Sequence, residues 1–327
     1  MATYAMLPSR SLSMRLSHST IARILLLLGW SACASPTEED TGDSLSTDPF
    51  TPVEPTGITR EYDLTVSQGD WTVQREDGES LAEVDGYHIN GQFIGPTLVC
   101  DLGDSLQVTL TNETSVPINL RPHGLHVDAT TAKIEAQPGE TVSFNWHAIE
   151  GAGTFYYAAT HLDEAYFDDQ ALSGILGLIV VRSGIEEDLY EPTKMINYVM
   201  LDLYEPAVSF NWDILNPQDE VHNFTLVPQS VDLDGGETDT EEGMSVIGNS
   251  GDIARVNVLA YGEAVHVLQI DGHTWQDRGT RQTTDTWVGA PAQSDHFFVH
   301  LDNPGTWRAG SAVDDRRMYM TSWLLVQ

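Results

Sequence analysis

Two segments of this chain repeat one pattern of landmarks, and that repeat restricts the fold more than any other feature. Gly103-Asp104 opens an alternating segment in which Leu106, Val108 and Leu110 interleave with Gln107, Thr109 and Thr111, and Gly124 follows Gly103 by 21 residues. Gly251-Asp252 opens a second such segment, and Gly272 again follows 21 residues after Gly251. Each copy continues with an aromatic-bearing strand pattern (Phe144 and Trp146; Phe297 and Phe298) and a Gly-Thr-aromatic step (Gly153-Thr154-Phe155; Gly305-Thr306-Trp307). Each closes on an apolar run, ILGLIVV at 175–181 and WLLV at 323–326. Alternation of period two is the mark of a strand with one face in a core, whereas a short unbroken apolar run suits a strand buried on both faces. No long segment carries helical periodicity. Short strands punctuated by Gly, Pro and Asn predict an all-β fold of two tandem Greek-key β-sandwiches, and 327 residues is the length of two ordinary domains.

The N-terminus reads as a targeting segment rather than part of that fold. Arg10, Arg15 and Arg23 precede the apolar run ILLLL at 24–28, and the small residues Ser31 and Ala32 lead to Cys33. A basic flank, an apolar core, small residues and then Cys resemble a bacterial lipoprotein signal over 1–33, with Cys33 lipidated; a plainly cleaved secretory signal is the alternative. Residues 34–57, acidic and rich in Pro, Ser and Thr, read as a disordered tether. The chain is thereby expected to be exported and membrane-anchored through Cys33, at the periplasmic side or the cell surface. The expected organisation continues as a first domain over 58–183, a linker over 184–193 and a second domain over 194–327.

Charge and cysteine content exclude whole classes of function. Fifteen Lys and Arg stand against 49 Asp and Glu, a formal net charge of −34, and removing residues 1–32 takes away three Arg and no acid, giving −37. Such a surface repels nucleic acid, so no nucleic-acid partner is expected. With Cys33 committed to lipid, Cys100 is the one remaining thiol and no intrachain disulfide can form.

The residues between the landmarks resemble those of the multicopper oxidase family. Asn90-Gly91, Gly95-Pro96-Thr97, Gly103-Asp104, the TLTN of 109–112 and the SGILGLIV of 173–180 are similar to that family's signposts, shared by its ceruloplasmin, laccase and two-domain nitrite reductase branches. The resemblance implies cupredoxin (plastocyanin-like) domains. It also implies copper as cofactor: a blue site on one Cys and two His, and a trinuclear cluster held by paired His. Carried over position by position, most of those ligands are missing. The family's H-x-H-G reads Arg121-Pro122-His123-Gly124, and the later H-x-H falls within Ala158-Ala159-Thr160-His161. In the second domain the H-x-x-H-x-H-G pattern reads His266 to Gly272, with Gln269 and Asp271 in place of two His. The family's H-C-H falls at Gly310-Ser311-Ala312. Blue copper needs a soft thiolate, and Arg121 is a permanent cation where a metal ligand should stand. A standard four-copper oxidase reaction is therefore not expected.

What survives is a reduced set of metal-ligating residue types. His123, His126 and His161, with Asp128 and Asp163, would together suit a single copper or zinc ion, so copper at a site no larger than mononuclear is the expected cofactor. Polar loop residues satisfied by hydrogen bonds are the alternative reading. His266 and His273 form a weaker second candidate, with Asp271 and Arg278 beside them. His296, Phe298 and His300 share a strand face by parity, which reads as solvated. The acidic stretch at 232–242, with Asp232, Asp234, Glu237, Asp239, Glu241 and Glu242, offers hard oxygens for calcium, although it lacks the spacing of an EF-hand and suits a flexible acidic loop equally well. Three functions follow: a metal-binding or partner-binding cupredoxin lipoprotein, a copper oxidoreductase with a type-2-like site at His123, His126 and His161, or a metal-free surface module. Two-domain members of the family work as trimers, so the resemblance also implies a homotrimer in which a neighbour would supply missing ligands.

Overall fold

The structure, a computed structural model, describes residues 53–74, 80–160, 169–202, 224–233, 245–262, 264–313 and 320–327. Two β-sandwiches follow one another, and they share one topology. In the first, β1 (Thr59–Gln74), β2 (Ser80–Ile89), β4 (Ser105–Asn112), β7 (Thr141–His147) and β6 (His126–Val127) form a sheet in the order β2-β1-β4-β7-β6. Its facing sheet is β3-β9-β8-β5, built from β3 (Gly95–Asp101), β5 (Leu120–His123), β8 (Gly153–Ala159) and β9 (Leu176–Arg182). In the second, β10 (Lys194–Asp202), β11 (Phe224–Val231), β13 (Ile253–Tyr261) and β18 (Gln293–His300) run in the order β11-β10-β13-β18. They face β12-β20-β19-β14-β17, made of β12 (Ser245–Gly248), β14 (His266–Ile270), β17 (Thr286–Gly289), β19 (Gly305–Ser311) and β20 (Thr321–Val326). A small ribbon pairs β15 (Trp275–Gln276) with β16 (Thr283–Thr284). Parallel pairs recur at matching places: β1 with β4 and β10 with β13, then β3 with β9 and β12 with β20. The fold is all-β, as the alternation predicts.

The repeated landmarks have repeated jobs. Gly103 and Gly251 open their strands at φ 99° and 95°, and Gly124 and Gly272 turn at 88° and 71°. The aromatic of each Gly-Thr-aromatic step lies flat on the second glycine, so a Cβ on Gly124 would meet Phe155 at 2.0 Å and one on Gly272 would meet Trp307 at 2.3 Å. Left-handed backbone and a ring in contact both demand glycine there. Asp104 is fully buried and accepts from Thr56 Oγ1 (2.7 Å), Arg60 Nε (2.9 Å) and the Asp101 N–H (3.1 Å). Burial alone would push its carboxyl up, but these donors together hold it below the ordinary range. Thr56 belongs to the stretch expected to be tether. Residues 53–57 instead run along the sandwich, with the Val53 N–H on Ile149 O and the Thr56 N–H on Gly103 O.

The sandwiches join face to face. Val199, Leu201, Val227, Leu259 and Tyr261 of the second belong to the same apolar cluster as the core of the first. This is why the 175–181 run is apolar throughout: β9 is buried along almost its whole length, on its own core side and against its neighbour domain. A polar ladder crosses the same joint. Gln229 donates to Ile94 O (3.0 Å), and Asn197 donates to Thr97 Oγ1 (2.7 Å) and Gln229 Oε1 (3.2 Å). Asn257 donates to Asn197 Oδ1 (2.9 Å) and accepts from Thr154 Oγ1 (2.6 Å) and Arg255 Nε (3.1 Å). After the one-turn helix α1 (Asp169–Leu172), and within the stretch read as a linker, Gly184–Tyr190 form helix α2, whose Glu187 pairs at 2.8 Å with Arg255, a guanidinium with no exposed surface. Glu186 on the same helix reaches His296 at 3.0 Å and Arg278 at 2.5 Å, and Tyr190 stacks on Phe298 at 4.1 Å. The His296 face of β18 is thus covered by α2 rather than solvated; only His300 at its end is exposed.

Asn257→Ala removes one partner each from Thr154, Arg255 and Asn197 in a buried setting. It should cost roughly 3 kcal/mol in urea unfolding, several times the cost of an exposed Asn→Ala change such as at Asn145.

Candidate functional site

The first-domain candidates do not gather at one place. Arg121 and His123 lie on β5, and the Arg121 Nη2 donates to Ala132 O at 2.8 Å, a link to the chain beyond the Gly124 turn. The His123 ring stacks on Tyr156, its cross-strand partner, at 4.3 Å and 15°. Tyr156 in turn meets Tyr261 of the second sandwich edge-on at 5.5 Å, so His123 sits at the rim of the joint. The ring edge of His123 is exposed, yet the surrounding atoms desolvate it, and with the neighbouring Arg121 charge they lower its pKa. Burial pushes the Tyr156 hydroxyl up to about 12.

Gly124 and the buried Leu125 carry the chain from one sheet to the other, which places His126 on β6, away from His123. There His126 stands directly opposite His147 on β7, with ring centroids 6.1 Å apart. Glu150 lies 3.7 Å from His126 Nδ1, and Asp128 lies 3.6 Å from His147 Nε2. Sequence reading passed over His147 and Glu150, because only strand pairing brings them to His126. His161 and Asp163 lie outside the described residues.

In the second domain, His266 is fully buried on β14, and its Nε2 lies 3.0 Å from Asp202 Oδ1. The other oxygen of Asp202 accepts the Ala264 N–H at 2.8 Å, and Gly262 leaves room for that carboxylate, since a Cβ there would meet it at 2.4 Å. Gln269 donates to Asp285 at 3.1 Å. His273 bonds the Asp271 carbonyl at 3.2 Å and sits edge-on to Trp307, far in role from His266. Arg278, expected beside Asp271, is instead drawn to Glu186 and His296. Ser311, where the H-C-H alignment places the thiolate, is buried on β19 opposite Leu268 of β14. Cys100 is buried on β3, where desolvation raises its thiol to about 12. Asp232 is exposed at the end of β11, and 234–244, the rest of the acidic stretch, lies outside the described residues. Among the described residues, no three His, Cys, Asp or Glu side chains already converge as a metal site.

Comparison with known proteins agrees with this architecture. Residues 65–185 match the family described as multicopper oxidase. Human ceruloplasmin is 23% identical over 244 residues, 68% of this chain and 22% of ceruloplasmin, so the chain spans about a fifth of that relative's length. The solved multicopper oxidase mgLAC superposes with a TM-score of 0.61 at 17% identity, covering 83% of this chain and 87% of that one. The blue copper oxidase of Nitrosomonas europaea superposes at 0.59 and 19% identity, covering 82% and 86%. Sequence and fold together define a tandem cupredoxin-fold protein. Residues 65–185 are a multicopper oxidase domain by this match, and the chain as a whole is similar to that family in sequence and fold.

That similarity carries copper as its general expectation, but the donors at the family's positions among the described residues do not fit its copper set. Among the described residues no thiolate stands beside His266, whose nitrogen already faces a carboxylate, and Arg121 brings a fixed positive charge to the first-domain position.

Two histidines here respond to acid in the same sense. Burial lowers the pKa of His296 despite the bond it donates to Glu186, and desolvation lowers that of His123. A histidine depressed in the folded state takes up its proton less readily than in the unfolded chain, so stability falls as pH drops below the ordinary value of 6.5. Glu186, held down chiefly by its bond to His296, adds a second loss as pH falls below its ordinary 4.5. Denaturant midpoints should therefore decline between about pH 7 and 5, and His296→Gln should flatten that part of the profile.

Proposed function

We propose that this chain is an exported, lipid-anchored cupredoxin-fold binding protein that takes up at most one transition-metal ion and does not run the four-copper oxidase reaction. The observation that carries this reading is the His266–Asp202 pair. At the position where the family holds blue copper, a buried imidazole is matched to a carboxylate at 3.0 Å, and the neighbouring strand presents Ser311 rather than a thiolate. A buried polar pair of this kind is a stable end state for residues that no longer coordinate metal. The −34 charge and the Cys33 signal support a location outside the cytoplasm, with the acidic segment between Cys33 and residue 53 spacing the domains from a membrane. Calcium at 232–242 is part of the same reading, supported by the carboxylate density alone.

A second reading is a copper oxidoreductase with a type-2-like ion. The neutral, solvent-reaching imidazole of His123 favours it, with His161 and a neighbouring subunit of a trimer completing the set. His126 contributes less to that set than its spacing implies, because it lies on the opposite sheet.

Metal analysis of the full chain, with optical and electron paramagnetic resonance spectra, separates these. The expected outcome is no more than one copper per chain, no strong blue absorption and no oxygen consumption with phenolic substrates. Several coppers with a strong blue band would overturn the proposal, and a single type-2 copper with oxidase activity lost in His123→Ala would establish the second reading.

A further inference from the structure

The one place among the described residues where two imidazoles and two carboxylates share a surface is the end of the β4-β7-β6 edge. Strand register puts Ser105, His147 and His126 in one row across β4, β7 and β6. Directly opposed residues on antiparallel strands hold their Cβ atoms about 5 Å apart. Two imidazoles on one ion, each about 2 Å from it through nitrogen, place their ring centres about 5–6 Å apart. The observed separation of 6.1 Å, with the rings tilted by 37°, lies at the edge of that range. Asp128 and Glu150 flank the pair at 3.6 and 3.7 Å from ring nitrogens, too long for hydrogen bonds and close enough to close on a shared cation. The fixed partner is Ser105, whose Oγ lies 2.9 Å from His147 Nδ1 and leaves Nε2 turned toward Asp128. An outer hydrogen bond on one ring nitrogen, with the other presented to a carboxylate-lined space, is the arrangement that orients a metal-binding histidine.

We propose that His126 and His147, with Asp128 and Glu150, form a surface site for a borderline divalent ion, Cu(II) or Zn(II). Mixed imidazole and carboxylate donors select these over calcium or magnesium, which take oxygen alone. The four side chains stand as two His–carboxylate pairs, and His126, Asp128 and Glu150 are each about half exposed, so turning them onto one ion needs only ordinary rotamer changes. The acidic field of the whole chain raises the local cation concentration. The site rests on the reading of the chain as a binder of at most one transition metal and gives that metal a place distinct from His123 and His266.

Calorimetric titration of the full chain with Cu(II) alone and Zn(II) alone, alongside Cu(II) electron paramagnetic resonance, tests this. One equivalent should bind, with nitrogen hyperfine structure from two imidazoles. His126→Ala/His147→Ala should abolish it, Ser105→Ala should weaken it about tenfold, and His123→Ala should leave it unchanged. These residues lie at the surface, and unchanged near-ultraviolet dichroism would show that the variants fold. Loss of the bound ion in His123→Ala, one equivalent persisting in the double variant, or no binding by either ion would each overturn this site while leaving the functional proposal standing. Several coppers with a blue band would overturn both.

Discussion

Arg255 is a full positive charge with no exposed surface, and the joint between the two sandwiches is arranged around it. A buried guanidinium is tolerable only when opposite charge and hydrogen-bond acceptors surround it. Glu187 supplies the charge from helix α2, Asn257 the acceptor, and the face of Phe298 lies 5.8 Å beneath the guanidinium. From Asn257 the bonds run on through Asn197 and Gln229 to the backbone of the first domain. The apolar contact around this ladder supplies most of the driving force for docking, since burial of apolar surface is non-directional and additive. The ladder supplies the register, because a shifted joint would strand each of these groups without a partner.

That joint belongs to a cupredoxin framework held together by residues that are not copper donors. The glycine-aromatic contacts at Gly124 and Gly272, the Asp104 anchor and the double-buried β9 lie in turns, cores and interface, and none of them uses a metal. Fold and site therefore answer to different residues. At the family's ligand positions the residues present are themselves matched: Arg121 to a backbone carbonyl, His266 to Asp202, Gln269 to Asp285. Such pairing removes the cost of burying a polar side chain without a partner.

Much of the fold was readable along the chain, and less of the site. The alternation of Leu106, Val108 and Leu110 appears as a strand with its odd-numbered neighbours turned outward, and the ILGLIVV run as a strand buried on both sides. The linker was read as simple connection, yet it carries Glu186 and Glu187, because a helix of seven residues leaves too short a periodic signal to register. His296 looked solvated because parity reports a face without saying what covers it. His126 seemed close to His123 at a separation of three residues, but a left-handed turn at Gly124 sends them to opposite sheets.

The amino-acid sequence by itself determined the two all-β repeats, the positions where only glycine serves, the acidic character of the surface and the absence of a thiolate from the family's blue-copper position. Each of these is a property of residue type and local spacing, which a linear order contains. Tertiary structure alone decided which polar groups meet: Glu187 with Arg255 over 68 residues, Asp202 with His266 over 64, Glu186 with His296 over 110, and His126 with His147 across a strand pair. These partners depend on sheet order and register, which are set by apolar burial summed over the whole chain, so no local pattern announces them.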